Sequence, residues 1–225
     1  MKVMLLAAGR GSRLRPITDQ LPKPLLCVAG KPLIIHHIEK LAAAGFNDIV
    51  INVSWLGDQI EQALGNGEKF NITIHYSREQ TSLETGGGIF NALPLLGPDP
   101  FFVINAVIYT DFPVASIPTH MNTLGHIILA KNPEHVPHGD YFLTNEGKIC
   151  HQGQGLKFTF TGIGIYKPEL FQDCVPGIFR LAKVFESAIA AQQLSGEIYQ
   201  GLWCDVGTEA RWHALEKSLT ASEFP

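Results

Sequence analysis

The residues best placed to do chemistry begin near the start of the chain. Leu5-Leu6-Ala7-Ala8-Gly9-Arg10-Gly11-Ser12-Arg13-Leu14-Arg15-Pro16 sets two glycines directly after an apolar run. Small residues at such a point let backbone N–H groups approach an anion closely, so the segment reads as a phosphate-binding loop. A dinucleotide-binding turn would need a third glycine where Leu14 stands and a helix opening there, whereas Pro16 and Pro22 keep this segment extended or turning. The lysine-serine ending of a Walker loop is also missing. Two histidine pairs offer less. His135 and His138 have no cysteine or third histidine at ligand spacing and read as a solvated loop. His36 and His37 are helix neighbours that diverge by about 100°, so they do not chelate.

The elements that must hold this loop follow from periodicity. Val3 to Ala7 is a continuous apolar run ending at glycine, as a buried parallel strand would be. Leu33 to Ala44 repeats at helical spacing and stops at Gly45, Asp48 to Val53 is β-branched, Gln59 to Leu64 is a short helix, and Ile72 to Tyr76 is a strand. Gly88 to Leu96 reads as a helix interrupted by Pro94, Phe101 to Ala106 as a buried strand, and Ile127 to Ala130 as another. Residues 132–155 change character, with Pro133, Pro137, Gly139, Gly147, Gly153 and Gly155, and predict an inserted hairpin or substrate-side lobe. Phe158 to Tyr166 is a strand, Leu181 to Gln192 a helix, Leu202 to Val206 a last strand and Thr208 to Leu219 a closing helix. This alternation predicts one α/β domain over 1–225, a Rossmann-like, mostly parallel sheet flanked by helices.

Composition narrows the function classes. The chain has 225 residues, 45% of them apolar and 17% charged, ordinary for a globular domain with one core. Its net charge of −4 argues against a general nucleic-acid binder. Residues 1–25 nevertheless carry Lys2, Arg10, Arg13, Arg15 and Lys23 against Asp19 alone, which suits either a small anionic ligand or a solvated basic face. No stretch approaches the roughly 18 unbroken apolar residues of a membrane span, and the arginines after the first apolar run leave no signal-peptide core. Cys27, Cys150, Cys174 and Cys204 lack paired spacing and are expected as reduced, packed thiols, in keeping with a cytoplasmic protein.

The loop, together with Pro22-Lys23-Pro24-Leu25 and Val28-Ala29-Gly30-Lys31-Pro32, resembles the sugar-1-phosphate nucleotidyltransferases. The resemblance runs on through Asn52, Leu83-Glu84-Thr85-Gly86-Gly87-Gly88, Asn105, Gly139-Asp140, Phe160-Thr161-Gly162 and Trp203-Cys204-Asp205-Val206-Gly207-Thr208, and leaves nothing over for an appended left-handed β-helix domain. The short chain, the LETGGGI segment and the WCDVGT ending look most like the branch that transfers a uridylyl group to N-acetylmuramic acid 1-phosphate in cell-wall recycling. The resemblance implies a sugar-1-phosphate oxygen attacking the α-phosphorus of a nucleoside triphosphate, UTP in this branch, and expelling pyrophosphate. Guanylyl or thymidylyl transfer to mannose- or glucose-1-phosphate is the alternative within the family.

By the same resemblance Ala8, Gly9, Gly11 and Ser12 would cradle the nucleotide, with Arg13 on the β- and γ-phosphates. Lys23 would bridge the α-phosphate and the sugar phosphate, and Glu84, Gly86 and Gly87 would form the rim that reads the base. Asn105, Asp140, Thr161 and Gly162 would face the sugar, with Arg180 on its phosphate; a strand-end amide, a turn aspartate and a surface charge are the plainer readings of Asn105, Asp140 and Arg180. Asp205 would ligate Mg²⁺, or else cap a turn.

A metal between phosphates is expected to have a second carboxylate, which the family carries in an Asn-Gly-Asp-like triplet. Here that triplet is Asn105-Ala106-Val107, and valine cannot ligate a cation. Asp111 lies four residues on and reaches the site only through a shifted loop. The departure raises a second expectation: a catalytically impaired relative that still binds nucleotide.

Overall fold

In the computed structural model, residues 1–118 and 120–222 are described. Seven strands make the central sheet: β1 (Val3–Leu6), β2 (Asp48–Val53), β3 (Thr73–Arg78), β4 (Phe101–Asn105), β5 (Gly125–Ala130), β6 (Thr159–Tyr166) and β7 (Leu194–Ile198), in the order β7-β5-β6-β4-β1-β2-β3. All pairings are parallel except the two made by β6, which runs antiparallel to both β4 and β5. The reversal places the start of β6 beside the C-terminal ends of β1 and β4, so Asn105, Thr161 and Gly162 share one edge with the loop that leaves β1. Ligands of open α/β sheets collect at that edge.

Among the described residues the helices of eight or more residues are α1 (Leu33–Ala43), α2 (Gly57–Leu64), α3 (Glu84–Leu96), α4 (Leu181–Ala190) and α5 (Glu209–Ser222), the first four covering the faces of the sheet. Successive strand residues point to opposite faces. Leu5, Ile51, Ile104 and Ile163 therefore pack with Ile38 of α1 and Ile60 of α2, while Met4, Val50, Val103 and Leu129 pack with Ile89 of α3 and Phe185 of α4. Burial on both faces is why these strands read as unbroken apolar runs. A third cluster joins Leu14, Leu26, Val28, Leu33 and Val206 to Leu215 of α5, clamping the last helix onto the segment that follows the first loop.

Several elements differ from the sequence expectation. α3 starts at Glu84 instead of Gly88, so the three glycines are helical, and Pro94 does not interrupt it. Proline there removes a single intrahelical bond close to the end, where Gly97 N–H closes the helix on Leu93 O at 2.9 Å. The predicted last strand shrinks to Trp203–Asp205, pairing with Ile108–Thr110 outside the main sheet. β7 was not anticipated at all. Within 132–155 a small hairpin forms, Phe142–Leu143 against Ile149–Cys150. The cysteines are free, but Cys27 is exposed instead of packed, because its strand is only two residues long and points it outward. Among the described residues no helix is long and apolar enough to cross a membrane.

The Ile108–Thr110 strand that carries the Asp205 strand is tied to the core by buried His37, whose Nε2–H donates to Ile108 O at 2.8 Å. Burial pushes this imidazole down to about 4, the bond to Ile108 opposing and Lys40 and His36 reinforcing. Since its folded pKa lies below the ordinary 6.5, His37 leaves stability untouched above pH 6.5. As pH falls from 6.5 toward 4 the unfolded chain takes up a proton that the folded one refuses, costing at most about 3 kcal/mol. Urea unfolding at pH 7, 6 and 5 should show His37→Gln losing less stability on acidification than the parent, by about 1–2 kcal/mol. Equal losses in both would contradict this assignment.

Candidate active site

The loop after β1 is shaped by Gly11, which sits at φ +69 and turns the chain so tightly that a Cβ would meet Thr18 at 3.0 Å and Lys23 at 3.2 Å. Thr18 Oγ1 donates to Gly11 O at 2.9 Å and fixes the turn. Arg10 stacks on Trp55 at 4.3 Å, and Arg15 pairs with Asp19 at 3.2 Å. Arg15 is thereby held on the outside, whereas Arg10 and Arg13 line one cavity, and Arg13 has no carboxylate partner among the described residues. Asn52, at the end of β2, holds the root of the loop: its Oδ1 accepts Ala7 N–H at 2.7 Å and its Nδ2 donates to Glu79 Oε1 at 2.7 Å. Glu79 in turn accepts Leu83 N–H at 2.8 Å, so one buried relay joins the loop to the start of α3. Burial raises the Glu79 carboxyl above its usual range, with the bonds to Leu83 and Asn52 opposing.

These elements surround a cavity of about 990 Å³ at the C-terminal edge of β1 and β4. It gathers Ala8, Gly9, Gly11, Ser12, Arg13, Lys23, Glu84, Asn105, Val107, Asp140, Thr161, Gly162, Arg180 and Asp205, nearly all of the residues singled out from the sequence. Gly86 and Gly87 are the exceptions. Their N–H groups both donate to Phe179 O at 3.0 Å, and a Cβ on Gly87 would lie 2.3 Å from Gly177 O. They let α3 press against the chain entering α4, and the rim itself falls to Ser82, Glu84 and Thr85. Glu84 adopts φ +61, a conformation costing about 1–3 kcal/mol for a non-glycine residue and typical of functional sites. Its carboxylate faces Arg180 at 3.9 Å across exposed side chains, and Thr85 Oγ1 accepts Leu181 N–H at 3.0 Å.

The far side of the cavity is half structural. Asp140 Oδ2 accepts Phe160 N–H at 2.8 Å, Thr161 Oγ1 donates to Ile128 O at 2.7 Å, and Asn105 Oδ1 accepts Val107 N–H at 3.3 Å. Thr161 thus spends its hydroxyl on the sheet, while Asp140 and Asn105 keep a second polar atom each. Tyr141, Phe160, Phe185 and Trp203 give this side apolar walls, of which Tyr141 and Phe185 belong to no motif in the sequence.

At the cationic end, Lys23 is 7% exposed and stands 3.9 Å from Asp205 Oδ1. Burial pushes its ammonium down to about 8, Asp205 opposing and Arg13 and Arg211 adding to the fall. Asp205 Oδ2 accepts Arg211 Nη1 at 3.0 Å and lies 3.8 Å from His135 Nε2, to which Arg211 also donates. Arg211 was not singled out from the sequence, and His135, read as solvated loop, instead lines the cavity. Burial lowers the His135 pKa, with Arg211 next in effect. Asp111 stays away: its carboxylate accepts Tyr199 OH, and it does not line the cavity.

This donor set decides the fit of a magnesium ion. The register pairs Asp205 with Ile108, so Val107 stands next to the place where a second carboxylate would act, and both oxygens of Asp205 already face protein cations. Among the described residues no group of three or more His, Cys, Asp or Glu converges as a metal site. The residues present do not fit the two-carboxylate magnesium site implied by the resemblance.

What the cavity can do is hold a polyanion at one end and a hydroxylated ligand with an apolar substituent at the other. Comparison with known proteins agrees. Residues 2–135 match the family described as Nucleotidyl transferase. The chain is 47% identical over 223 residues to N-acetylmuramate alpha-1-phosphate uridylyltransferase of Neisseria meningitidis serogroup B, covering 94% of this chain and 95% of that one. It is 36% identical over 234 residues to the protein of the same name from Caulobacter vibrioides, covering 96% of each. The fold matches HddC from Yersinia pseudotuberculosis, solved with GMP-PN, at a TM-score of 0.79 and 21% identity, over 97% of this chain and 99% of that one. With a family match over more than half its length and near full-length relatives, the chain belongs to the sugar-1-phosphate nucleotidyltransferases.

Proposed function

We propose that this chain transfers UMP from UTP to N-acetylmuramic acid 1-phosphate, releasing pyrophosphate. The observation that carries the choice of substrates is the 47% identity to the Neisseria uridylyltransferase across 94% of the chain. The cavity supports it, with a cationic, N–H-rich end and an apolar-walled end of polar contacts. A phosphate oxygen of the sugar phosphate attacks the α-phosphorus of UTP. The bond from that phosphorus to the oxygen bridging the β-phosphate breaks, and the electron pair leaves on pyrophosphate. Such transfers need little covalent help and depend on positioning and charge neutralisation.

In this reading the 9–13 loop and Arg13 hold the β- and γ-phosphates, and Lys23 lies where the α-phosphate meets the incoming phosphate. Ser82, Glu84 and Thr85 read the uracil edge. Asn105 and Asp140 meet sugar hydroxyl or acyl groups with their remaining polar atoms, Arg180 reaches the sugar phosphate, and Tyr141, Phe160 and Phe185 pack against the acyl and lactyl substituents. The reaction belongs in the recycling of cell-wall sugars and takes place in the cytoplasm.

A second reading, slow turnover with nucleotide binding retained, is favoured by one observation: valine at 107 beside an already neutralised Asp205. Both readings are tested by following pyrophosphate release from UTP, magnesium chloride and N-acetylmuramic acid 1-phosphate. The parent should form UDP-N-acetylmuramic acid and prefer UTP to GTP and dTTP by about tenfold or more. Absence of product with every triphosphate would rule out the transferase reading. Lys23→Ala should cut kcat by about 10²–10³, the usual cost of one preorganised charge donor; an unchanged kcat would remove Lys23 from the chemistry. Val107→Asp should raise the rate in magnesium by about 100-fold. A parent already fast and indifferent to this change would show that residue 107 has no part in charge handling.

A further inference from the structure

Asp205 is the carboxylate around which the phosphate end of the cavity is organised, yet its surroundings are those of an anion already satisfied. Arg211 Nη1 donates to its Oδ2 at 3.0 Å, Lys23 Nζ faces its Oδ1 at 3.9 Å, and His135 Nε2 is 3.8 Å away. The pair is largely sheltered, the Arg211 side chain being 18% and the Asp205 side chain 25% exposed. A sheltered charge-assisted bond outweighs the exposed pairs elsewhere on this chain.

Arg211 does not arrive there by chance of a flexible side chain. Its Nε donates to Thr208 Oγ1 at 3.3 Å, and its guanidinium lies across Gly207, where a Cβ would come within 2.1 Å of Nη2. α5, which carries it, is pinned from the next turn by Trp212 Nε1–H on Cys27 O at 2.7 Å and by Glu216, which accepts Ala29 N–H at 2.6 Å. The guanidinium is therefore built against Asp205 by the closing helix, and Val107 supplies no rival carboxylate to draw a divalent cation in.

We propose that Arg211 is a positioning residue that serves as the resident counter-cation of Asp205, so that this chain takes a nucleoside triphosphate without a divalent cation. The inference rests on the nucleotide-binding reading of the cavity. With Asp205 neutralised from behind, Arg13 and Lys23 meet the triphosphate without a competing negative charge. Once Arg211 is removed, Asp205 keeps Lys23 at 3.9 Å as its cationic neighbour and competes with the triphosphate for it, a competition that a metal ion relieves.

Calorimetric titration of UTP into the full chain, in EDTA and in magnesium chloride, tests this with the parent, Arg211→Gln, Arg211→Lys, Val107→Asp and the double variant Arg211→Gln/Asp205→Asn. The parent should bind with a Kd in EDTA within about threefold of that in magnesium. Arg211→Gln should weaken binding in EDTA by about tenfold or more and recover in magnesium, and the double variant should recover in EDTA without metal. Arg211→Lys, which keeps the charge and loses the fork, should fall between. Val107→Asp should also become dependent on magnesium, and it carries the test if the Arg211 variants fail to melt cooperatively. A parent that binds UTP only with magnesium, or Arg211→Gln matching the parent in EDTA, would overturn the inference and leave the nucleotide site standing. No UTP binding by any form in either buffer would overturn the nucleotide reading, and this inference with it.

Discussion

Asp205 sits among Lys23, Arg211 and His135, and most of the site depends on how that one carboxylate is held. A sheltered carboxylate without a counter-charge is costly, and the Lys23 ammonium and Arg211 guanidinium without it would be costlier still. The cluster brings together three distant parts of the chain: the segment after the first loop, the 132–155 insertion, and the last strand with the α5 helix that follows it. Its geometry is therefore a consequence of the whole fold. Lys23 shows the tension. Burial lowers its pKa to about 8 although Asp205 works the other way, so the ammonium is left with room for a second anion.

The sheet supplies the frame for that arrangement. By reversing direction at β6, it brings the start of one strand against the ends of two others, and the cavity opens where their loops diverge. Asn52 and Glu79 then tie the loop after β1 to the start of α3 through three hydrogen bonds. Buried polar relays of this kind specify a single geometry when every partner is satisfied, as here.

Much of this was legible in the sequence. Asp48–Val53 matched its predicted strand to the residue, because β-branched apolar residues buried on both faces leave little choice. The turn after β1 was legible because the glycines that shape it are a local signal. What escaped depends on tertiary contacts. Ser195, Gly196 and Glu197 give β7 no strand pattern; its place at the sheet edge comes from pairing with β5, and Gly196 is small because a Cβ would meet Ile127 O at 2.7 Å. Gly86 and Gly87 fall outside the predicted helix, since glycine costs a helix about 1 kcal/mol per residue, yet close packing against residues 177–180 holds them helical, with Gly88 packed against Asn52 and Glu79. His135 lies 76 positions from Arg211 and meets it and Asp205 only in the folded chain, whereas Arg211 is six residues from Asp205 but belongs to no motif of the loop or the strand.

Where a nucleotide sits is the central question, and a crystal structure of the chain with UTP measures that directly. The triphosphate should lie against the Gly9–Arg13 loop and Lys23, the uracil edge against Ser82, Glu84 and Thr85, and the Arg211–Asp205 pair should be intact. A nucleotide bound in the reverse sense, with its base against Asp140 and Thr161, or one bound outside this cavity, would contradict this placement.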